Sequence, residues 1–427
     1  MFRIFYTLLI TLISPLALYS LLKKRSDKPA VGARWKEYFG YVSPLTLDES
    51  NQTIIWLHTV SVGEVLGATA FVRTLKQRYP HLKVVMTTTT TTGAEQVSKL
   101  GDLVEHRFMP LDFPWAIRRF IRTIKPTQLL IMETELWPNT LAIAKQMNVP
   151  VSVINARLSQ RSAQRYQKIA AIGRFLTRHI ERIYCLHQDD AERFQSLGFT
   201  ATQITVTGSL KFDIQVSEQV IEQGIQLRAE LGVNRPVWVA ASTHQGEDEL
   251  LLEAHKQVLA TVPNALLVLV PRHPERFKSV AELVSSQGMT CVRRTSSQPV
   301  DEHTQVYLAD TMGEMMTVLR ASDVCFMAGS LLGEKVGGHN LLEPAALGLP
   351  TITGPSYFNF TDITQQLLNA KATTVCETPG QIATTLITLL NNQSVRTIQG
   401  QSAQQVVNKN RGSIDKTLTG LFSHEAA

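Results

Sequence analysis

Short apolar runs alternate with helix-length segments along almost the whole chain, and that alternation restricts the available folds more than any other feature. The first series of runs lies at residues 53–58, 83–86, 128–132, 151–154, 183–186 and 204–207. A second series follows at 237–241, 265–270, 305–308, 322–327 and 351–353. Strands joined through helices pair in parallel, and helices then cover both faces of the sheet. The expected class is α/β. A chain of 427 residues is long enough for two domains, each with its own core. Gly208-Ser209-Leu210-Lys211-Phe212-Asp213 falls between the two series and reads as the interdomain linker. This places a first Rossmann-like domain at 29–210 and a second at 211–400.

Residues 4–22 carry no charge and can form a helix of roughly 28 Å, about the hydrocarbon thickness of a bilayer. Lys23-Lys24-Arg25 follows at once, with Lys28 close behind, so residues 1–28 read as an uncleaved membrane anchor that keeps the rest of the chain in the cytoplasm. A cleaved signal peptide fits less well, because the run is long, no A-x-A site follows it and the charge comes after it. A helix lying in the membrane interface is the other reading. Residues 30–50 form a connector that sets Arg34, Trp35 and Lys36 close to that membrane. The formal net charge of +6 points to an anionic partner, and the scatter of the basic residues argues against nucleic acid. Arg118, Arg119 and Arg122, with Trp115, either face an anionic surface or line a solvated helix face. The chain's 4 cysteines, Cys185, Cys291, Cys325 and Cys376, form no C-x-x-C pair and read as buried free thiols.

Chemistry-bearing residues gather where the strands end, which in open α/β sheets is the ligand edge. In the first half these are Ser61-Val62-Gly63-Glu64, the threonines 87–92, and Glu133-Thr134-Glu135. Glu133 and Glu135 share a strand face if the strand persists. Ser242-Thr243-His244-Gln245-Gly246 opens a helix and offers hydroxyls and N–H groups to a phosphate, although Glu247, Asp248 and Glu249 already load that terminus with negative charge. Pro271-Arg272-His273 offers a guanidinium, suited to phosphate or a pyrimidine edge. Gly313-Glu314-Met315 and Asn340-Leu341-Leu342-Glu343 complete the set, the latter inside Gly337-Gly338-His339 through Pro350. There a glycine turn feeds a short helix that Asn340 can cap, and Glu343 can accept from a ribose diol. Together these segments make a nucleotide site. Asp189-Asp190 reads as the acidic start of a helix, and no H-E-x-x-H or cysteine cluster is present, so no metal is expected.

These pieces, with Asn155-Ala156-Arg157-Leu158-Ser159 and Pro274-Glu275-Arg276, resemble the 3-deoxy-D-manno-octulosonic acid (Kdo) transferases over nearly the whole chain. The local departures are Ala241 where glycine is expected before Ser242, and His187-Gln188 where acidic residues are usual. The resemblance implies a GT-B fold: two Rossmann-like domains facing across a cleft, with a tail at 401–427 returning to the first. It implies inverting transfer of Kdo from CMP-Kdo to the lipid A precursor (lipid IVA) in lipopolysaccharide core biosynthesis, at the inner membrane, with no metal and no cofactor. On the matching positions, Glu64 is the general base, and Glu133 and Lys211 stabilise the transition state. Pro271, Arg272, Gly313, Glu314, Met315, Asn340, Leu341, Leu342 and Glu343 contact CMP. The alternative is another GT-B nucleotide-sugar enzyme, such as a sugar-nucleotide epimerase. Against the base stands Glu64's place at a helix start, which lowers a carboxyl pKa and suits a capping role.

Overall fold

A computed structural model describes residues 2–22, 32–45 and 53–422. The basic cluster at 23–28 lies outside the described residues. The chain forms two compact units, one of residues 1–213 with 411–427, the other of residues 214–410.

The first unit runs α1 (Phe2–Leu22), β1 (Ile54–His58), α2 (Val62–Arg78), β2 (Lys83–Thr88), α3 (Thr91–Ser98), β3 (Glu105–Phe108), α4 (Pro114–Ile124), β4 (Gln128–Met132), α5 (Pro138–Gln146), β5 (Val151–Ala156), α6 (Gln160–Gln167), α7 (Ala170–His179), β6 (Arg182–Cys185), α8 (Gln188–Ser196) and β7 (Ile204–Val206). Its sheet is parallel throughout, in the order β3-β2-β1-β4-β5-β6-β7. Side chains of β1 alternate between two cores: Ile54 and Trp56 pack with Phe120, Ile131 and Val153, and Ile55 and Leu57 with Phe71, Leu130 and Met132. Burial on both faces explains why the run is apolar without a polar alternation. The order reverses between β1 and β4, so their carboxyl ends frame the crevice of this sheet.

The second unit runs α9 (Glu218–Leu231), β8 (Val237–Thr243), α10 (Asp248–Thr261), β9 (Leu266–Pro271), α11 (Phe277–Ser286), β10 (Cys291–Arg293), β11 (Val306–Leu308), α12 (Met315–Arg320), β12 (Val324–Met327), α13 (Leu342–Ala346), β13 (Thr351–Thr353), α14 (Thr361–Asn369), β14 (Thr373–Val375), α15 (Pro379–Asn391) and α16 (Gln393–Asn410). Its parallel sheet has the order β10-β11-β9-β8-β12-β13-β14, and its crevice lies between β8 and β12. The last helix, α17 (Ser413–Phe422), belongs to the first unit, where Ile414, Leu418 and Phe422 join the core around Phe71 and Tyr184.

Two expectations need correcting. Gly208 to Asp213 is not a free linker: Leu210 and Phe212 are buried in the first unit, and both carboxylate oxygens of Asp213 accept from the chain at its return, from Gly412 N–H and Ile414 N–H, each at 2.6 Å. The return falls at 411 rather than 401, because α16 continues to Asn410 and packs on α13. The anchor segment forms α1, with Pro15 inside it, yet among the described residues no helix is long and apolar enough to cross a membrane. Strands β3, β10 and β14 had no apolar run to announce them; they are short and partly exposed. All four cysteines are free, and Cys291 alone among them is only partly buried.

Candidate active site

In the first unit, the carboxyl end of β1 leads through Thr59 and Val60 into α2. Ser61 caps that helix, its Oγ accepting from Glu64 N–H at 3.3 Å. Glu64 turns back: Oε2 accepts from Val60 N–H at 2.9 Å, and Oε1 from the Ser61 hydroxyl at 3.0 Å. This is a capping box displaced by one residue. The carboxylate is 7% exposed, and burial raises its pKa from 4.5 to about 7. The two hydrogen bonds oppose the rise, while nearby Glu133 and Glu135 add to it. The lowering expected from a helix start is therefore outweighed by desolvation.

Glu133 follows β4 with φ of +57°, so the strand stops at Met132 and does not carry Glu133 and Glu135 to one face as the sequence allowed. The two carboxylates separate in role. Glu133 lies 4.0 Å from Lys211 Nζ, and Glu135 accepts from the Trp137 indole N–H at 3.0 Å. Gly67, one turn beyond Glu64, packs beside the lysine: a Cβ there would make ordinary van der Waals contact with Lys211 Cε (3.6 Å) and Met132 Cε (3.4 Å). Glu64, Glu133 and Lys211 thus gather at the β1–β4 crevice. Asn155, the penultimate residue of β5, has a φ of +51°, and its Oδ1 accepts from Leu210 N–H at 3.1 Å, fixing the segment that carries Lys211. The tolerance of asparagine for left-handed backbone was the available signal.

The hydroxyls of Thr87 to Thr90 are engaged within the first unit. Thr87 Oγ1 accepts from the Trp56 indole at 2.9 Å and meets His58 Nδ1 at 3.0 Å. Thr88 Oγ1 donates to Thr90 O at 3.2 Å, Thr90 caps α3, and the Thr89 hydroxyl donates to Val60 O at 3.1 Å. The run braces the loop that presents Glu64. Asp190, which tempts a metal assignment, accepts from Leu158 N–H at 2.8 Å and pairs with Arg193.

In the second unit, the end of β8 differs from the expected phosphate cradle. Thr243 Oγ1 donates to Asp248 at 2.6 Å, and Asp248 pairs with Arg276. The Glu247 carboxylate, fully buried, accepts from Gly329 N–H (2.8 Å), Ser330 N–H (3.0 Å), Leu331 N–H (3.0 Å) and His244 N–H (3.1 Å). A carboxylate of the chain already fills the anion-binding nest after β12. Sequence reading tied Glu247 only to its own helix; three of its four partners lie more than eighty residues on, and no local signal names them.

The remaining groups stand around this crevice. Arg272, just past the end of β9, is exposed, with its guanidinium unpaired among the described residues and its N–H donating to Thr243 O at 3.0 Å. Gly337 and Gly338, at φ of +82° and +80°, turn the chain toward α13. Asn340 Oδ1 accepts from Leu342 N–H at 3.1 Å, across Leu341, the residue at the helix's N-cap position. Burial raises the Glu343 pKa, and the Asn340 side chain and Arg272 oppose the rise. Gly313, at φ of +86°, precedes Glu314, whose carboxylate is taken by Arg294 at 3.1 Å. That ion pair holds its pKa below the usual value. Sequence reading missed a histidine pair. His244 Nε2 and His339 Nε2 are 2.8 Å apart with rings stacked, and His273 stands edge-on to His244. Burial lowers their pKa values, to about 4 for His244 and about 3 for His339, so both are neutral and share one proton between facing nitrogens.

Residues 33–214 match the family model described as 3-deoxy-D-manno-octulosonic-acid transferase (kdotransferase). A 3-deoxy-D-manno-octulosonic acid transferase from Haemophilus influenzae is 39% identical over 420 residues, 98% of this chain and 97% of that protein. The chain belongs to the Kdo transferases. A transferase of the same name from Bordetella pertussis is 34% identical over 86% of both proteins. Membership makes this chain a glycosyltransferase. Its two parallel sheets are of the GT-B type. The UDP-GlcNAc 2-epimerase from Neisseria meningitidis bound to UDP-GlcNAc shares that fold at 14% identity, with a TM-score of 0.57 over 87% of the Kdo transferase and all of the epimerase.

Proposed function

We propose that this Kdo transferase moves Kdo from CMP-Kdo to a hydroxyl of the lipid A precursor, lipid IVA, in lipopolysaccharide core biosynthesis at the cytoplasmic face of the inner membrane. The first unit activates the acceptor and the second holds CMP through Pro271, Arg272, the 313–315 backbone and 340–343. Glu64 takes the proton as the acceptor oxygen attacks the anomeric carbon. The bond from that carbon to the CMP phosphate oxygen breaks with its electron pair, and the sugar inverts. Lys211, oriented by Glu133, neutralises charge developing on the phosphate or the Kdo carboxylate. Lysine and arginine supply that neutralisation, so the reading uses no metal.

The observation that carries this reading is the Glu64 carboxyl group, buried and raised to about 7, at the sheet crevice beside Glu133 and Lys211. A base works best with a pKa near the operating pH. The test is Kdo transfer to lipid IVA, with CMP-Kdo generated in the assay by a synthetase and products resolved by mass. Wild type transfers; Glu64→Gln loses about 10²–10⁴-fold in kcat with CMP binding intact. Equal rates for the two proteins return Glu64 to capping alone, and an inactive wild type removes the substrate assignment.

A further inference from the structure

Donors around the second unit's crevice are largely spent on the chain itself. The nest after β12 holds the Glu247 carboxylate, so the N–H groups of Gly329, Ser330 and Leu331 are closed to an anionic ligand. Thr243 and Arg276 are taken by Asp248, and Arg294 by Glu314. Among the described residues near it, the Arg272 guanidinium and the His244–His339 pair stay unspent.

The pair is built as one object, and Glu247 seats both halves. Its carboxylate accepts from His244 N–H at 3.1 Å and from Gly329 N–H at 2.8 Å. Gly329, at φ of +72°, makes room for the second ring: a Cβ there would stand 2.7 Å from His339 Cδ2 and 2.8 Å from His339 Nε2. The Gly329 carbonyl oxygen accepts from Gly338 N–H at 2.8 Å, which places His339 one residue on. The two rings lie 9° from parallel, with Nε2 facing Nε2 at 2.8 Å.

Only one proton fits between the facing nitrogens. The ring that donates it has a bare Nδ1, and the ring that accepts it carries its own proton on Nδ1. The neutral pair therefore turns one N–H and one lone pair outward. Both Nδ1 atoms are open and without a hydrogen bond among the described residues. Arg272, Arg276 and His273 act on the pair and, with burial, keep it neutral. Arg272 acts on both rings and on Glu343, which gathers the pair, the guanidinium and the 340–343 segment around one space.

We propose that the His244–His339 pair binds the phosphate of the nucleotide, its outward Nδ1–H donating to a phosphate oxygen beside the Arg272 guanidinium. This names a phosphate contact within the CMP site proposed above and rests on that reading. The pair gives up no proton. As the bond from the anomeric carbon breaks with its electrons on the phosphate oxygen, the phosphate passes from one negative charge to two, and the N–H···O bond strengthens with it. A neutral pair beside one arginine also holds the doubly charged product less tightly than two cations would, which lets CMP leave.

The experiment titrates the full chain with CMP and with cytidine, which differ by the phosphate alone, and reads binding by ligand-observed NMR. Wild type prefers CMP. The double variant His244→Phe, His339→Leu loses about ten- to a hundredfold in CMP affinity and keeps its cytidine affinity. The double variant His244→Asn, His339→Asn, which keeps an amide N–H near each Nδ1 position, recovers the preference for CMP. Unchanged CMP affinity in the Phe/Leu variant overturns the proposal. Equal loss for CMP and cytidine also overturns it, because the pair is then a strut of the pocket and not a phosphate contact. A wild type that shows this pattern yet transfers no Kdo removes the proposed substrates and leaves the phosphate contact standing. A wild type that binds CMP no better than cytidine removes the phosphate contact, whether or not Kdo is transferred.

Discussion

Glu64 serves two structural demands that pull its proton affinity in opposite directions. The Val60 N–H and the Ser61 hydroxyl favour the anion, while burial and the neighbouring carboxylates favour the acid, and burial is the largest of these effects. The raised value fixes the sign of two pH effects. Transfer needs the anion, so kcat/KM should climb with unit slope below about pH 7 and level off above it. Glu133→Gln removes one of the charges that raise Glu64, so its acidic limb should move to lower pH, even as the loss of Lys211's partner lowers the plateau. The second effect is on stability. The folded state holds the Glu64 proton between 4.5 and about 7, whereas the unfolded chain has released it, so this group's contribution to stability declines as pH rises through that window. Glu64→Gln, neutral and still able to accept from Val60 N–H, should be more stable than wild type by about 1–3 kcal/mol at pH 8 and no different at pH 4. Denaturant midpoints at the two pH values check this. A midpoint at pH 8 that falls in the variant would mean the capping bonds outweigh desolvation.

Two segments give the second unit its crevice, and each is set by a contact distant in sequence. The loop after β12 is held by Glu247, which takes four backbone N–H groups. Glu247→Ala leaves those donors without partners in a buried place and should cost at least about 3 kcal/mol, measured as a lowered thermal midpoint together with weaker CMP binding. Glu247→Gln, which offers one oxygen, should fall between. Gly337 turns the next segment at φ of +82°, and a Cβ there would run into the Phe358 ring. Gly337→Ala should therefore weaken CMP binding while leaving the first unit's pH profile unchanged. These elements also show what could be read from residues alone. Central strands such as β1 and β9 were legible because burial on both faces demands a continuous apolar run. Edge strands β3 and β10 were not, because a half-solvated edge tolerates Glu105, Arg107 and Arg293. Gly337, Asn340 and Glu343 were legible as a glycine turn feeding a capped helix. The clamp by Glu247 and the pairing of His244 with His339 were not, since both depend on sheet order. Burial, which sets the Glu64 pKa, is likewise a property of the packed unit and not of the four residues around it.

The chain crosses between its units twice, and both crossings meet at Asp213. Its two oxygens accept from Gly412 and Ile414, so the end of the first unit's leading segment and the start of α17 are tied at one point. Past that point α17 contributes Ile414, Leu418 and Phe422 to the first core, each no more than 4% exposed, with Gly420 allowing close approach to Tyr184 and Asp415 pairing with Arg78. The second unit gains nothing comparable from these residues, since its own core is complete by 410. Ending the chain at Asn410 should therefore act on one unit only. Three buried apolar side chains at about 1.5–3 kcal/mol each imply a loss of about 4.5–9 kcal/mol in the first unit, enough to unfold a marginal domain. Calorimetry of the truncated protein should show the second unit's transition unmoved, with CMP binding retained, and the first unit's transition lost or lowered. Asp213→Ala should lower that same transition by less, about 1–3 kcal/mol for two uncapped N–H groups. If truncation instead lowers both transitions equally, the two units melt as one cooperative block, and α17 stabilises the whole molecule rather than the half it packs against.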